Sequence, residues 1–456
     1  MSDPQPTRGA LPGTRAAWTG TLVAAALVVL AFVVPPLTGW DVATRAPRSE
    51  VDEVLSPPLH GWWEPKLLGP GTVPALVVAV LGWRWARTRV ADQPWARLLA
   101  TASALSLAWC LSLALVDGAS GLSRVLGGDY EYLPTAREVD DVGALLEGYV
   151  ERIPIDSPGA WPTHVAGHPP LMLLFFVGLV RLGLGGDLAA GVVVTVLAAS
   201  LPVAAAVALR ALGAEAAARA ALPVLTLSPV AVFVAVSADA LAATVAAWGL
   251  ACLALATRRW GWAVPAGLLL GTATCMAYGV PLLGFVALAV LAAGRSWRPL
   301  PVAVGAALVP VLALAAAGYA WWEAYPVLHD RYWDGIAEDR PASYWLWGNL
   351  AALALVTGPA VWGGLGVLTA RARPLLRPSA VDGLRPVVLL ALGAALAVTV
   401  ADLSRMSKSE VERIWIPFVP WLSLAAVLLP PRWRARALAA QLVLALLVQH
   451  LLYTSW

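Results

Sequence analysis

Two groups of polar residues, at the two ends of one long segment, have types and spacings that suit chemistry. Asp129 and Glu131 stand two residues apart after a Gly-Gly pair, and neighbouring carboxylates can supply a general base or bind a divalent cation. His164 and His168 stand four residues apart before a Pro-Pro pair, and they can bind a metal ion or an anion. A metal ion, if the protein uses one, would be bound by Asp129, Glu131 and His164. Structural roles explain part of the pattern, since acids and prolines both favour the first turn of a helix.

Two charged residues stand at the ends of later apolar stretches. Asp239 opens one such stretch, and Arg413 precedes another in the segment Glu412–Pro420. A charge at the end of a membrane span is costly, which sets Arg413 apart from a generic loop arginine. Glu412 could equally pair with Arg413 and have a purely structural role.

A third polar group lies in the segment 323–345, which combines acids, arginines and aromatic residues. Such a mixture is typical of sugar sites, where rings stack on the sugar and carboxylates accept hydroxyl protons. A solvated loop with aromatic residues at the membrane interface explains the same composition. The polar candidates of this segment are His329, Asp330, Arg331 and Arg340.

The composition determines which kind of protein must position these residues. Of the 456 residues, 59% are hydrophobic and only 13% are charged, whereas an ordinary soluble domain has roughly 25% charged residues. Soluble enzymes and nucleic-acid-binding proteins are thereby excluded. The sequence predicts an all-α polytopic membrane protein with about 13 spans, because each span needs about 20 apolar residues. The apolar runs are 18–37, 72–90, 98–116, 169–183, 188–209, 239–256, 261–277, 279–293, 299–321, 346–369, 386–402, 414–429 and 437–453.

The distribution of basic residues predicts the orientation of these spans. With a cytoplasmic N-terminus, the inside connections hold 17 basic residues and the outside connections 11, as the positive-inside rule requires. The arginine-rich, Ala-, Val- and Leu-rich composition favours a bacterial plasma membrane. A further apolar stretch, 217–236, contains Pro223 and Pro229 and is predicted to be a broken, membrane-embedded helix buried by protein. The competing interpretation is that 169–183 is too short to span.

The predicted organisation has three parts. Residues 1–116 form three N-terminal spans, and residues 117–168 form an extracytoplasmic loop with nine acids and three arginines. Residues 169–456 form the remaining bundle, with a second external loop at 322–345. Within the first loop, the apolar spacing over Thr135–Arg152 predicts one amphipathic helix lying on the membrane surface.

Several short motifs resemble the GT-C superfamily of polytopic membrane glycosyltransferases. That superfamily includes protein O-mannosyltransferases, lipid A aminoarabinose transferases and actinobacterial mannosyl- and arabinosyltransferases. The similar segments are DYEYLPTARE (129–138), GHPPLMLLFFVGLVRLGLGG (167–186), Ser228-Pro229 with Asp239, and ERIWIPFVP (412–420). Three departures are evident: two extra N-terminal spans, Tyr130 between the two acids, and His168 where many relatives have Lys.

The resemblance implies transfer of a sugar from a polyprenyl-phosphate carrier to an acceptor hydroxyl on the extracytoplasmic face. It implies Asp129 as the base, Glu131 as the alternate base or metal ligand, and His168 with Arg413 as the groups that bind the donor phosphate. The supporting residues would be His164, Arg137, Asp239 and Tyr132, with the 323–345 residues contacting the acceptor or sugar. A divalent cation is the one cofactor left open, and the acceptor is a glycan, a lipid or a protein. A lipid or solute transporter or flippase is the alternative from another class.

Overall fold

The computed structural model describes residues 12–45, 58–375 and 383–454. The protein is 74% helical with almost no sheet, so the all-α prediction is confirmed. Among the described residues, six helices are long and apolar enough to cross a membrane, or seven if one bent pair is counted as a span. The chain therefore has the build of a multi-pass membrane protein, while the number of 13 spans stays a prediction.

The helices follow one another closely along the chain. Among the described residues, one antiparallel strand pair joins the segment before α2 to the segment after α23. The strands are β1 (Gly61–Trp63) and β2 (Leu452–Thr454), with Trp62 opposite Tyr453. The α-helices are α1 (Pro12–Thr38), α2 (Thr72–Thr88), α3 (Trp95–Ala114), α4 (Tyr132–Arg137), α5 (Val142–Glu147), α6 (Thr163–Ala166), α7 (Pro170–Arg181), α8 (Asp187–Ala198), α9 (Leu201–Ala211), α10 (Glu215–Thr226), α11 (Ala231–Val234), α12 (Ala238–Ala256), α13 (Ala263–Thr274), α14 (Gly284–Ala293), α15 (Pro299–Ala316), α16 (Trp321–Trp333), α17 (Ile336–Asp339), α18 (Ala342–Thr357), α19 (Pro359–Leu375), α20 (Leu384–Leu403), α21 (Val411–Ile414), α22 (Val419–Ser423) and α23 (Pro431–Leu451).

The apolar stretch 217–236 is a broken helix buried in protein, as predicted. Helix α10 ends at Thr226 and the four-residue helix α11 follows; the last six residues of α10 and all of α11 are buried. Val236, at a φ of 64°, ends the break, and its N–H donates to Thr195 Oγ1 at 3.0 Å. This break lets α12 begin deep in the protein, which places Asp239 in its buried first turn.

One predicted span is sharply bent. The run 346–369 was expected to be a single helix, but α18 and α19 meet at an angle of 115°. Gly358 lies between them at a φ of 75°, a conformation that glycine adopts without strain. The expectation of one continuous helix here is therefore wrong, and a single broken span stays a prediction.

The segment 117–168, which the sequence predicts to be external and which is called the first external loop below, is more folded than predicted. The expected helix over Thr135–Arg152 is wrong as one element, because the segment forms α4, α5 and a 3₁₀ turn at Val150–Arg152. Asp141 starts a new helix, since its Oδ1 accepts from the N–H groups of Gly143 and Ala144. Apolar residues of the segment, such as Leu146 and Tyr149, are buried in the main core.

The predicted loop 322–345 is largely helical, which corrects the expectation of a loop. Helices α16 and α17 occupy it, and α18 begins at Ala342. Arg331 on α16 joins it to the first external loop, because its guanidinium donates to the carbonyls of Ile153 and Trp161. Two segments far apart in sequence thus form one packed layer.

Candidate functional site

A buried polar cluster joins the end of the first external loop to α12 and α21. It consists of six side chains, and a set of hydrogen bonds and ion pairs connects them into one network. The members of the buried polar cluster are Glu131, His164, His168, Asp239, Glu410 and Arg413.

Asp239 is the centre of this cluster. It is 4% exposed, and its Oδ2 accepts from Arg413 Nη1 at 2.5 Å. Its other oxygen, Oδ1, accepts from His168 Nε2 at 3.2 Å. The Asp239 carboxylate thus binds both His168 and Arg413, the two side chains that the sequence analysis assigned to a phosphate.

Both ring nitrogens of His168 face oxygen atoms. Its Nδ1 lies 2.9 Å from the carbonyl oxygen of His164, and its Nε2 lies 3.2 Å from Asp239 Oδ1. The imidazole and the guanidinium of Arg413 therefore meet at one carboxylate.

Glu131 and His164 form the second half of the cluster. Arg413 Nη2 can only donate, so His164 Nε2 accepts from it at 3.2 Å. Nδ1 of the same ring then donates to Glu131 Oε1 at 2.6 Å. Glu131 Oε2 is buried and has no hydrogen-bond partner among the described residues. This leaves one carboxylate oxygen of Glu131 able to accept a proton or a hydrogen bond.

Glu410 is a member of the cluster that the sequence analysis missed. It accepts from Arg413 Nη2 at 3.2 Å and from Arg340 at 3.1 Å, and its φ is 61°. Burial alone would raise the pKa of Glu410, but electrostatic interactions with His60, Arg340 and Arg413 lower it well below its usual range. The spacing of three residues between Glu410 and Arg413 is the signal that could have found this pair.

Glu412, the alternative partner considered for Arg413, accepts a hydrogen bond from the segment before β1. Its side chain is fully buried, and its Oε1 accepts from the backbone N–H of His60 at 2.8 Å. The ion pairs of Arg413 with Asp239 and Glu410 come in addition to the considered pairing with Glu412, which stays a prediction.

Two residues of the acidic motif have different positions from those predicted. Asp129, the predicted base, is exposed and has no hydrogen bond or ion pair to the cluster among the described residues. Arg137 donates to the carbonyl of Gly185 and pairs with Asp187, which is also outside the cluster. Tyr132 lies beside the buried polar cluster, since the centroid of its ring is 5.8 Å from the centroid of the His168 ring.

The residues predicted to contact the acceptor or sugar lie in different environments. His329 and Asp330 are exposed and contact each other at 3.4 Å. Arg331 holds the first external loop through backbone carbonyls. Arg340 is 4% exposed and bridges the 43–44 backbone, Lys408 and Glu410. Of this set, only Arg340 contacts the buried polar cluster.

The predicted metal ligands do not converge on one point. Glu131 and His164 bind each other directly, and Asp129 is not with them. Within residues 12–45, 58–375 and 383–454, no three His, Cys, Asp or Glu side chains are arranged to hold a metal ion. A divalent cation bound through Glu131 stays a prediction.

Comparison with known proteins adds no family to these observations. No protein-family profile and no characterised protein sequence matches the chain. The functional conclusion therefore depends on the geometry of the cluster itself.

Proposed function

We propose that the protein transfers a sugar from a polyprenyl-phosphate-linked donor to an acceptor hydroxyl on the extracytoplasmic face of a bacterial plasma membrane. One observation carries the proposal. His168 and Arg413, chosen from the sequence as the phosphate-binding pair, both direct N–H groups at a single anionic group, the carboxylate of Asp239. A phosphate oxygen pair has the same charge sign and accepts the same charge-assisted hydrogen bonds.

In this proposal, Asp239 keeps Arg413 and His168 in place before the donor binds. Desolvated cations with no counter-ion would be strongly destabilising. The donor phosphate joins these two side chains and shares them with the carboxylate. When the bond between the sugar and the phosphate breaks, the phosphate gains negative charge, which Arg413 and His168 stabilise.

Glu131 is the better base in this arrangement. The acceptor O–H loses its proton to Glu131 Oε2, the acceptor oxygen bonds to the anomeric carbon, and the carbon–oxygen bond to the phosphate breaks. The ring of His164 occupies the other oxygen of Glu131 and fixes its orientation. Asp129 then serves the exposed rim, where an acceptor would enter.

An apolar cavity beside the cluster supports a lipid-linked donor. It has a volume of about 710 Å³ and lies between the C-terminal ends of α1 and α23. Val42 and Thr44 are part of its lining, and Arg340 donates to the carbonyl of Thr44 and to Glu410. A short series of hydrogen bonds thus connects the cavity wall to Arg413.

The test is a transfer assay with the purified protein in lipid nanodiscs. Radiolabelled mannose, glucose and arabinose on polyprenyl phosphate would be supplied with a cell-envelope acceptor fraction, and release of polyprenyl phosphate would be measured. His168→Ala should raise the donor concentration needed for half-maximal rate, whereas His168→Lys should retain much of the wild-type affinity. Equal behaviour of the Lys and Ala variants, or no release with any donor, would contradict the proposal.

A transporter is the second candidate, and a specific feature favours it. The buried polar cluster lies where discontinuous helices α11, α12 and α21 end or begin, an arrangement that transporters use for substrate sites. Flux of a polyprenyl-phosphate-linked sugar across proteoliposomes, with the sugar–phosphate bond intact, would identify this function. Release of polyprenyl phosphate without flux would exclude it.

A further inference from the structure

A polar cavity lies at the end of α12 opposite the buried polar cluster. It has a volume of about 660 Å³ and is bounded by the turn after α12 and the turn between α14 and α15. Helix α12 has 19 residues, so a rise of 1.5 Å per residue separates the two sites by about 28 Å. We call this cavity the arginine–tryptophan pocket, and its distinctive lining residues are Arg258, Trp260, Arg295, Trp297 and Arg298.

The charge of this pocket is unbalanced. Its lining contains three arginines and no Asp or Glu. Their guanidinium groups form no hydrogen bond or ion pair with any described residue, and all three residues are exposed. Arg298 also lies at the N-cap of the 18-residue helix α15, where the helix dipole repels a cation. The fold therefore gains nothing from placing these charges together, and an anion would relieve their repulsion.

The surface next to the pocket is apolar and open. Val304, Leu308 and Leu312 on α15 are about half exposed, and Val264 on α13 is 44% exposed. The two helices pack closely, since a Cβ at Gly267 would lie 2.1 Å from the carbonyl oxygen of Ala303. This close packing makes one continuous apolar face that begins at the pocket.

The two tryptophans mark where this face meets water. Trp260 and Trp297 are 72% and 52% exposed, and tryptophan is enriched at the boundary between the membrane core and the headgroups. A positive pocket at that boundary, with an apolar face beneath it, matches both parts of a phospholipid. A free phosphate would use only the pocket.

We propose that the arginine–tryptophan pocket binds the headgroup of an anionic phospholipid, whose acyl chains lie along α13 and α15. The phosphate sits among Arg258, Arg295 and Arg298, as in basic pockets between membrane helices. The site is separate from the buried polar cluster, and its function does not depend on the sugar-transfer proposal. It anchors the ends of α12, α14 and α15 to lipids of one charge class.

The test uses native mass spectrometry of the full-length protein in detergent, titrated with phosphatidylglycerol, phosphatidylcholine or inorganic phosphate. The test variant carries Arg258→Gln, Arg295→Gln and Arg298→Gln. A matched control variant carries Arg84→Gln, Arg89→Gln and Arg97→Gln, which are exposed arginines outside the pocket. Thermal unfolding of both variants serves as the check on folding.

Wild type and the control variant should bind phosphatidylglycerol about tenfold more tightly than phosphatidylcholine, and the pocket variant should lose this preference. Inorganic phosphate at the same concentration should not compete. An equal loss of preference in both variants would mean that overall charge, not this pocket, attracts the lipid. Competition by inorganic phosphate would identify a small-anion site, and either result would overturn the proposal.

Discussion

Removal of the Asp239 carboxylate is the perturbation with the most specific expected result. Asp239→Ala removes the carboxylate that both Arg413 and His168 contact, while Glu410 and His164 still accept from Arg413. Breaking a buried ion pair by removing one partner costs about 3–5 kcal/mol. An unfolding entropy of roughly 2.1 cal/mol/K per residue gives about 1 kcal/mol per degree for this chain. The apparent melting temperature should therefore fall by about 3–5 °C.

The assay is thermal unfolding in detergent at pH 7, followed by intrinsic tryptophan fluorescence with and without polyprenyl phosphate. A ligand at a hundred times its Kd stabilises the folded state by about 2.7 kcal/mol. We expect polyprenyl phosphate to raise the melting temperature of Asp239→Ala more than that of the wild type, because its phosphate replaces the missing anion.

Glu215→Ala is the matched control for this experiment. Glu215 also lies in the first turn of its helix and also bridges two arginines, Arg210 and Arg219, but its side chain is 40% exposed. Exposed ion pairs contribute about 0–1 kcal/mol, so its melting temperature should change by at most about 1 °C. The reasoning is refuted if Asp239→Ala melts at the wild-type temperature, or if polyprenyl phosphate stabilises both variants equally.

Three further predictions follow from single residues. Glu131→Gln should lower the rate of sugar transfer in the nanodisc assay by about 100-fold, the typical contribution of a general base. Glu138 is an exposed acid of the same loop, and Glu138→Gln should leave the rate within about twofold of the wild type. Burial lowers the pKa of His60 to about 4. The unfolded chain therefore binds the proton more readily between pH 6.5 and 4, and stability falls by about 3 kcal/mol as the pH falls through that range. His60→Gln should flatten this dependence in melting temperatures measured from pH 7 to 4, and an unchanged slope would contradict it. Gly358→Ala should destabilise the bend between α18 and α19, because the new Cβ would lie 2.0 Å from Gln441 Oε1 and the φ of this residue is 75°. A melting temperature equal to that of the wild type would show that this bend tolerates a side chain.

The membrane character and several members of the cluster could be predicted from the sequence. A low charge density over 456 residues leaves no alternative to long apolar helices, whatever the tertiary arrangement. Arg413 stands out because a charge at the end of a membrane span is costly. Glu131, His164 and His168 stand out by their type and spacing, and Asp239 belongs to one of the motifs that carry the resemblance. The fold brings them together because buried charges require partners.

The helix breaks were predictable only in part. Pro223 and Pro229 indicated a broken element in 217–236, because proline removes a backbone donor. The bend at Gly358 and the division of 135–152 into three pieces could not be predicted, since the apolar spacing there is compatible with a continuous helix. Tertiary packing decided them, through buried residues such as Leu146 and Tyr149.

The roles within the site depended on the fold alone. Asp129 and Glu131 are two residues apart and nearly equivalent in sequence, yet one is exposed and the other is 6% exposed beside His164. Glu410 and Glu412 are also two residues apart, yet Glu410 accepts from Arg413 whereas Glu412 Oε1 accepts from the backbone N–H of His60. A sequence specifies which residues carry charge, but the direction of each side chain is set by contacts between segments far apart in the chain. For that reason the choice between neighbouring carboxylates became possible only with the tertiary structure.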